Sequence, residues 1–287
     1  MKTRAMTNLL HAIINIIEHE NFEIRALYKG RNRANSMGEA LESYIKDAFA
    51  NTLEEENVLV RMQAYNLLFS WLGSKNNPPD LMMRGGDAVE VKKTQKANNP
   101  ISLNSSYPKA DLRTDNPMLT EDSKKCESWT QKDLIYAVGH VSDTRLHSLW
   151  FVYGHIYAAQ PATYQRIKTT ISAGITSISD VEFSETKELG RINRVDSLGI
   201  ASLRIRGMWQ ILNPRKVFDY LHQPTNHRFE LVTIIPTEKY LSFPEESRQR
   251  VENIERDNFK IDDVKVQNPN NPVDLIDCKL IRFYSNQ

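Results

Sequence analysis

Residues 78–93, Pro78-Pro79-Asp80-Leu81-Met82-Met83-Arg84-Gly85-Gly86-Asp87-Ala88-Val89-Glu90-Val91-Lys92-Lys93, decide how this chain is to be read. Two short β-prone runs flank a glycine pair, which is the pattern of a hairpin. Glu90 and Lys92 are two apart on the second run and so share one face of a strand, while Val89 and Val91 share the other, apolar face. Whether Asp80 joins Glu90 depends on the turn. A two-residue turn at Gly85-Gly86 pairs Leu81 with Glu90 and throws Asp80 onto the wrong face beside Val91. A three-residue loop of Arg84, Gly85 and Gly86 pairs Met83 with Asp87 and brings Asp80 opposite Glu90. An odd loop, a bulge, or an Asp80 just off the strand end is therefore predicted.

The chemistry of these side chains is specific. Two carboxylates on a rigid hairpin suit a hard divalent cation such as Mg²⁺, which keeps waters and binds through one or two carboxylates plus substrate phosphate. A lysine two residues on can orient or help deprotonate a water beside the metal. Together the three make a site for phosphodiester hydrolysis. The rival reading is a surface hairpin with a solvated Glu and Lys. A Pro-Asp followed at this range by acid-any-Lys arises by chance in roughly one chain of this length in ten. Other acid-any-Lys triples occur, at Asp122/Lys124, Glu185/Lys187, Asp263/Lys265 and Asp277/Lys279. None of them has the upstream aspartate, the glycine turn and the valine alternation.

Working outward, Leu9, Leu10, Ile13, Ile14, Ile16 and Ile17 stand mostly three and four apart, predicting a helix over 5–20. Lys29, Arg31 and Arg33 lie among Gly and Asn and read as a basic loop. Ser36 stands three before Glu39, a capping-box spacing that predicts the start of a second helix. A third is expected at about 55–72. Residues 94–128 read as mostly loop with one short helix near 119–129. Strands are predicted at 133–143, 146–158, 201–211, 229–236 and 278–285, with helices at 161–175 and from Pro214. Helices first, then mixed strands and helices, predict an α/β (α+β) fold around a mixed sheet. No linker divides the 287 residues, so a single domain is expected. It has an N-terminal helical part (about 1–75), the hairpin (78–93) and possible recognition segments (about 180–210).

Composition sets the outer limits. The chain carries 40% hydrophobic and 25% charged residues, ordinary for a globular protein, and excludes wholesale disorder. Mean hydropathy is −0.52 and no apolar run approaches the ~20 residues of a membrane span, so no membrane partner and a cytoplasmic location are expected. Cys126 and Cys278 have no paired-ligand spacing and read as reduced thiols. The seven histidines form no metal-ligand pattern. With 37 Lys+Arg against 36 Asp+Glu, any surface for a polyanion must be local. Three places qualify. Arg191, Asn193, Arg194, Arg204 and Arg206 lie near Lys187; Arg204 and Arg206 flank Ile205 and share a face, as guanine readers in a major groove would. Ion pairs within the protein are the alternative. Arg31, Arg33 and Asn35, and Asn104, Ser105, Ser106 and Lys109, offer donors to phosphate oxygens.

Long blocks of the chain resemble the PD-(D/E)XK nuclease superfamily and, more narrowly, the NgoPII family of type II restriction endonucleases. They are NRANSMGEALESYIKDAF, GSKNNPPDLMMRGGDAVEVKK, LNSSYPKADL, FSETKELGRINRVDSLGIASLRIRGMW and VQNPNNP. The resemblance implies a mixed sheet flanked by helices with the active site on the hairpin. It implies that Asp80 and Glu90 bind Mg²⁺ with the Val91 carbonyl, that Lys92 serves the water, and that an acid on the preceding helix joins them, Glu42 first and Glu39 second. It further implies a homodimer that cuts both strands of a short palindrome in double-stranded DNA, GGCC being the sequence expected. A cognate DNA methyltransferase would protect the same site without needing to bind the enzyme. Two rivals remain at this stage: a structure-specific nuclease of repair or recombination, and a DNA-binding module without catalysis.

Overall fold

The computed structural model describes residues 6–24, 33–74 and 77–287, the side chains at 33–37, 74 and 77 excepted. Asn8 opens the first helix, α1 (Leu9–His19), its side-chain oxygen accepting from the N–H groups of Leu10 at 2.9 Å and His11 at 3.3 Å. The six apolar residues whose spacing predicted this helix are all buried. Helix α2 (Arg33–Ala50) already includes Arg33, so it starts ahead of the expected Ser36 cap. Arg and Ala are strong helix formers and extend the helix N-terminally past the serine. Arg33 and Asn35 therefore lie in a helical turn and not in a loop, while Arg31 falls outside the described residues. Helix α3 (Val58–Leu68) is followed directly by strand β1 (Phe69–Ser74), so the helical part ends sooner than expected.

Strands β2 (Asn77–Met83) and β3 (Ala88–Thr94) form the predicted hairpin. The stretch expected to be mostly loop holds the expected short helix, α4 (Glu121–Lys125), and ahead of it two unexpected strands, β4 (Ile101–Asn104) and β5 (Asp111–Arg113). Their few residues pair with distant segments, a signal that local periodicity does not carry. Next come β6 (Gln131–Ser142), β7 (Arg145–Tyr153), a 3₁₀ turn at Gly154–Ile156 and α5 (Pro161–Thr176). The segment expected as one strand at 201–211 splits into β10 (Leu203–Ile205) and β11 (Trp209–Ile211), after β8 (Glu182–Phe183) and β9 (Gly190–Asn193). The chain ends with α6 (Pro214–Val217), β12 (Phe229–Pro236), α7 (Thr237–Ser242), α8 (Glu245–Glu252), β13 (Phe259–Asn268) and β14 (Asn271–Ser285).

Among the described residues the main sheet has nine strands, in the order β1-β2-β3-β6-β7-β12-β14-β13, with β5 pairing separately with β6. It is mixed, as predicted: β3 runs parallel to β6 and β7 parallel to β12, while the other neighbours are antiparallel. Strand β12 is buried at seven successive positions because both faces of the sheet are covered there, so it reads as an unbroken apolar run. Helix α2 packs on β3 and β6, with α1 against it and α8 against α1. One hydrophobic cluster runs from Leu9 to Phe283 and includes the β7 aromatics Trp150 and Tyr153. Two small sheets stand apart, β8-β9-β10 and β4-β11. No helix among the described residues is long and apolar enough to cross a membrane.

Leu149 is fully buried in β7, where truncation leaves a hole that neighbouring strands cannot close. Leu149→Ala should cost ~2–5 kcal/mol in urea unfolding with little change in slope. A loss under ~1 kcal/mol would show that the centre of the sheet is not where the core lies.

Candidate active site

The hairpin closes through the odd loop. Leu81 pairs with Val89 and Met82 with Ala88, the register that a three-residue turn requires. Met83 donates its N–H to Asp87 at 2.9 Å, Gly86 donates to the Met83 carbonyl at 3.1 Å, and Gly85 takes φ 66, the left-handed conformation that glycine adopts without strain. The turn is held from two sides. Arg84 donates to the carbonyls of Asn66, Leu67 and Phe69 at 3.1, 3.3 and 2.8 Å, tying the turn to the end of α3. From the other side Lys132, 4% exposed, donates to the carbonyls of Met83 and Gly86 at 3.0 and 2.6 Å and pairs with Glu127 at 2.6 Å. Glu127 in turn accepts from the Gly85 N–H at 2.8 Å and from the Ser70 hydroxyl at 2.9 Å. Burial opposes its ionisation, but Lys132, Gly85 and Ser70 outweigh burial and hold the carboxyl below its usual range.

Beyond the last paired residues, Asp80 takes over the role of a ladder carbonyl: its carboxylate accepts from the Val91 N–H at 2.6 Å. Val89 and Val91 face the core as predicted, so Glu90 and Lys92 face the cleft, their side chains 2.6 Å apart. Burial, and after it the charge of Glu90, pushes the Asp80 carboxyl up to about 8. Burial works against the Lys92 charge, yet Glu90, Asp80 and Glu42 together hold its ammonium above the ordinary lysine value. Glu42 reaches the same cleft from α2 and lies 3.8 Å from Lys46; burial raises its carboxyl, opposed by Lys46 and Lys92. Glu39 lines the same cleft one turn away, so the two acids share a face.

The cleft has a volume of about 510 Å³, and Asn104, Ser105, Ser106 and Lys109 line its far wall. That third basic segment therefore lies with the carboxylates. Lys187, Arg191, Asn193, Arg194, Arg204 and Arg206 do not line it. Lys187 donates to the Pro117 carbonyl at 2.9 Å, next to Asn116 and Met118 at the cleft edge. Asn193 donates to Ser184 at 3.0 Å. Arg191 pairs across strands with Arg204, and Arg194 has φ 49. The guanidinium groups of Arg204 and Arg206 do share a face, but both bind Glu188, at 2.5 and 2.7 Å, while staying about 60% exposed. The ion-pair alternative thus describes the DNA-free protein.

The sequence that builds this site has counterparts among known proteins. A family model described as NgoPII restriction endonuclease matches residues 7–267. The type II restriction enzyme NgoPII of Neisseria gonorrhoeae is 42% identical over 279 residues, spanning 96% of this chain and 99% of that enzyme. The chain belongs to the NgoPII restriction endonuclease family. With that membership the expectation of a site-specific endonuclease stands. No solved structure gives a significant match. In this family member the residues that sequence reasoning missed are Lys132, Glu127 and Tyr136. Only Lys132 left a trace, as a charge opening an otherwise apolar strand pattern.

Removing one partner of a buried pair strands the other charge. Lys132→Met should therefore cost ~3–5 kcal/mol in urea unfolding. Adding Glu127→Gln should recover part of that loss. If Lys132→Met unfolds within ~1 kcal/mol of the parent, the turn is not held by this pair.

Proposed function

We propose that this chain is a Mg²⁺-dependent restriction endonuclease that hydrolyses both strands of a short palindrome in double-stranded DNA. The observation that carries the reading is Asp80 bonded to the backbone of β3 beside Glu90, with Lys92 paired to Glu90 and its charge felt by both carboxylates. The donor set fits a hard cation: Asp80 is destabilised as an anion by burial and by Glu90, and a divalent ion would relieve both. Among the described residues no three His, Cys, Asp or Glu side chains are grouped to hold a metal by themselves, so the two carboxylates would need the Val91 carbonyl, water and substrate phosphate to complete the set. When bound there, Mg²⁺ supplies Lewis-acid charge neutralisation and makes its water more acidic.

The chain's own residues do the rest. The turn keeps Asp80 and Glu90 on one face, the Val91 N–H fixes one oxygen of Asp80, and Lys92 holds a positive charge where a phosphate and attacking water would lie. Glu42, on a separate helix, shapes the field around them. A single domain acting as a homodimer presents one such site per strand, as a two-fold DNA sequence asks. GGCC is the sequence to try first, on the resemblance of the blocks quoted above. The enzyme then works in the cytoplasm beside a methyltransferase that marks the same sequence.

Incubation with a plasmid of known sequence and Mg²⁺, followed by mapping of fragment ends, should give ends at one short palindrome. Ends scattered over branched or damaged sites indicate a structure-specific nuclease instead. Asp80→Ala, Glu90→Ala and Lys92→Ala should each abolish cleavage while leaving duplex binding intact, and near-parental cutting by any of them removes that residue from the site.

Exposed arginines held by Glu188 can exchange that partner for guanine. Arg204→Ala and Arg206→Ala should weaken cognate binding by ~1–3 kcal/mol and scrambled DNA much less. Equal loss on both duplexes assigns them to phosphate, and no loss on either assigns them to the Glu188 pair alone.

A further inference from the structure

The strap between β4 and β5 carries a feature that the proposed chemistry has not used. Tyr136 stands on β6 directly opposite Glu90 of β3. Its hydroxyl accepts from the Lys109 N–H at 2.8 Å and donates to the Lys109 carbonyl at 3.2 Å, gripping both backbone groups of one residue. The next carbonyl, of Ala110, accepts from the Leu134 N–H at 3.2 Å. Gly154 completes the anchorage: a Cβ there would come within 2.6 Å of the Ala110 carbonyl oxygen and closer still to that of Lys109, so only glycine lets the strap lie so near β7. Lys109 is thus built into the strand layer that carries Glu90.

Its side chain enters the cleft of Asp80, Glu90 and Lys92. The ammonium donates to the Ser106 hydroxyl and to the Tyr107 carbonyl at 3.4 Å, and lies 5.1 Å from the Tyr107 ring centre. No carboxylate pairs with it among the described residues. Lys92, by contrast, is committed to Glu90 at 2.6 Å. A half-buried cation with no carboxylate paired to it is costly, and burial does lower the Lys109 pKa, to about 8, with Glu90 opposing and Lys92 and Lys168 adding. An incoming phosphate supplies the missing anion.

We propose that Lys109 is a second catalytic lysine, whose ammonium contacts the scissile phosphate itself and stabilises the charge that grows on it. This rests on the nuclease reading given above. Hydrolysis joins a water oxygen to phosphorus and breaks one P–O ester bond, and the departing hydroxyl takes up the proton that the water loses overall. Lys109 stays protonated and supplies only a fixed positive charge to the more highly charged transition state.

The test uses Lys109→Met, which keeps the apolar stem, and Lys109→Arg, which keeps the charge. Single-turnover cleavage at saturating enzyme should fall ~10²–10³-fold in Lys109→Met, with metal-free affinity for the same duplex changed less than ~3-fold. Lys109→Arg should recover part of the rate. An unchanged saturated rate, with affinity lost equally on cleavable and scrambled duplexes and the salt slope reduced by ~1, makes Lys109 a flanking-phosphate anchor and overturns the proposal. Unchanged rate and affinity overturn it too. If the parent protein cuts no plasmid in Mg²⁺, the nuclease reading fails first; if the parent and Lys109→Met cut alike, only the lysine's role fails.

Discussion

A strand has a period of two, so one residue gained or lost in a turn sends every side chain of the returning strand to the opposite face. In this hairpin that parity decides whether there is a site at all. The turn of Arg84, Gly85 and Gly86 has three residues, and Asp80 consequently meets β3 on the face of Glu90. A two-residue turn on the same glycines would be the more common closure. What opposes it is the set of bonds around the loop: Lys132 on two carbonyls, Glu127 on an N–H, and Arg84 on the end of α3. The Lys132 and Glu127 bonds meet backbone groups of the turn itself, the carbonyls of Met83 and Gly86 and the N–H of Gly85, as the three-residue loop presents them.

The same parity concentrates negative charge. Asp80, Glu90 and Glu42 converge on a cleft with Lys92 as their shared cation, and burial leaves Asp80 reluctant to ionise. A fold optimised for stability alone would replace such a cluster. It is tolerable because the opposite face of β3 buries Val89 and Val91 in the hydrophobic cluster, while α2 and the 105–110 strap line the cleft around the carboxylates. Unlike Lys132, whose three acceptors are all within the protein, the charges of the cleft are left partly unmet by the chain itself.

How far the sequence could be read follows from the range of the interactions. The hairpin, the apolar face of α1 and the long strands β6, β7 and β12 are periodic over many residues, and they fold as their patterns require. The turn parity was derivable from Asp80 and Glu90 alone once the two were assumed to meet. Strands β4, β5, β8 and β9 have two to four residues each, too few to show a period of their own, and β4 exists through a partner far along the chain, β11. Ser36 illustrates a different failure: a valid cap spacing lost to helix formers on its N-terminal side. Glu188 was visible beside the arginines as composition, yet its position between Arg204 and Arg206 depends on the fold of the small sheet.

That small sheet is placed by few contacts. Lys187 reaches the Pro117 carbonyl, Lys168 on α5 reaches the Lys187 carbonyl at 3.1 Å, and Tyr107, Tyr164 and Trp209 pack ring against ring with centres 5.4–6.3 Å apart. Tyr107 belongs to the strap that carries Lys109, Tyr164 to α5 and Trp209 to β11, the partner of β4. The aromatic cluster therefore joins the segment bearing the exposed arginines to the wall of the cleft without passing through the main sheet. Aromatic contacts of this kind tolerate small shifts of one element against another better than a β-ladder does, whose bonds are fixed in register. The carboxylates are thus held by the hydrogen-bonded ladder of the main sheet, and the segment of Arg204 and Arg206 is joined to the cleft wall through side-chain packing.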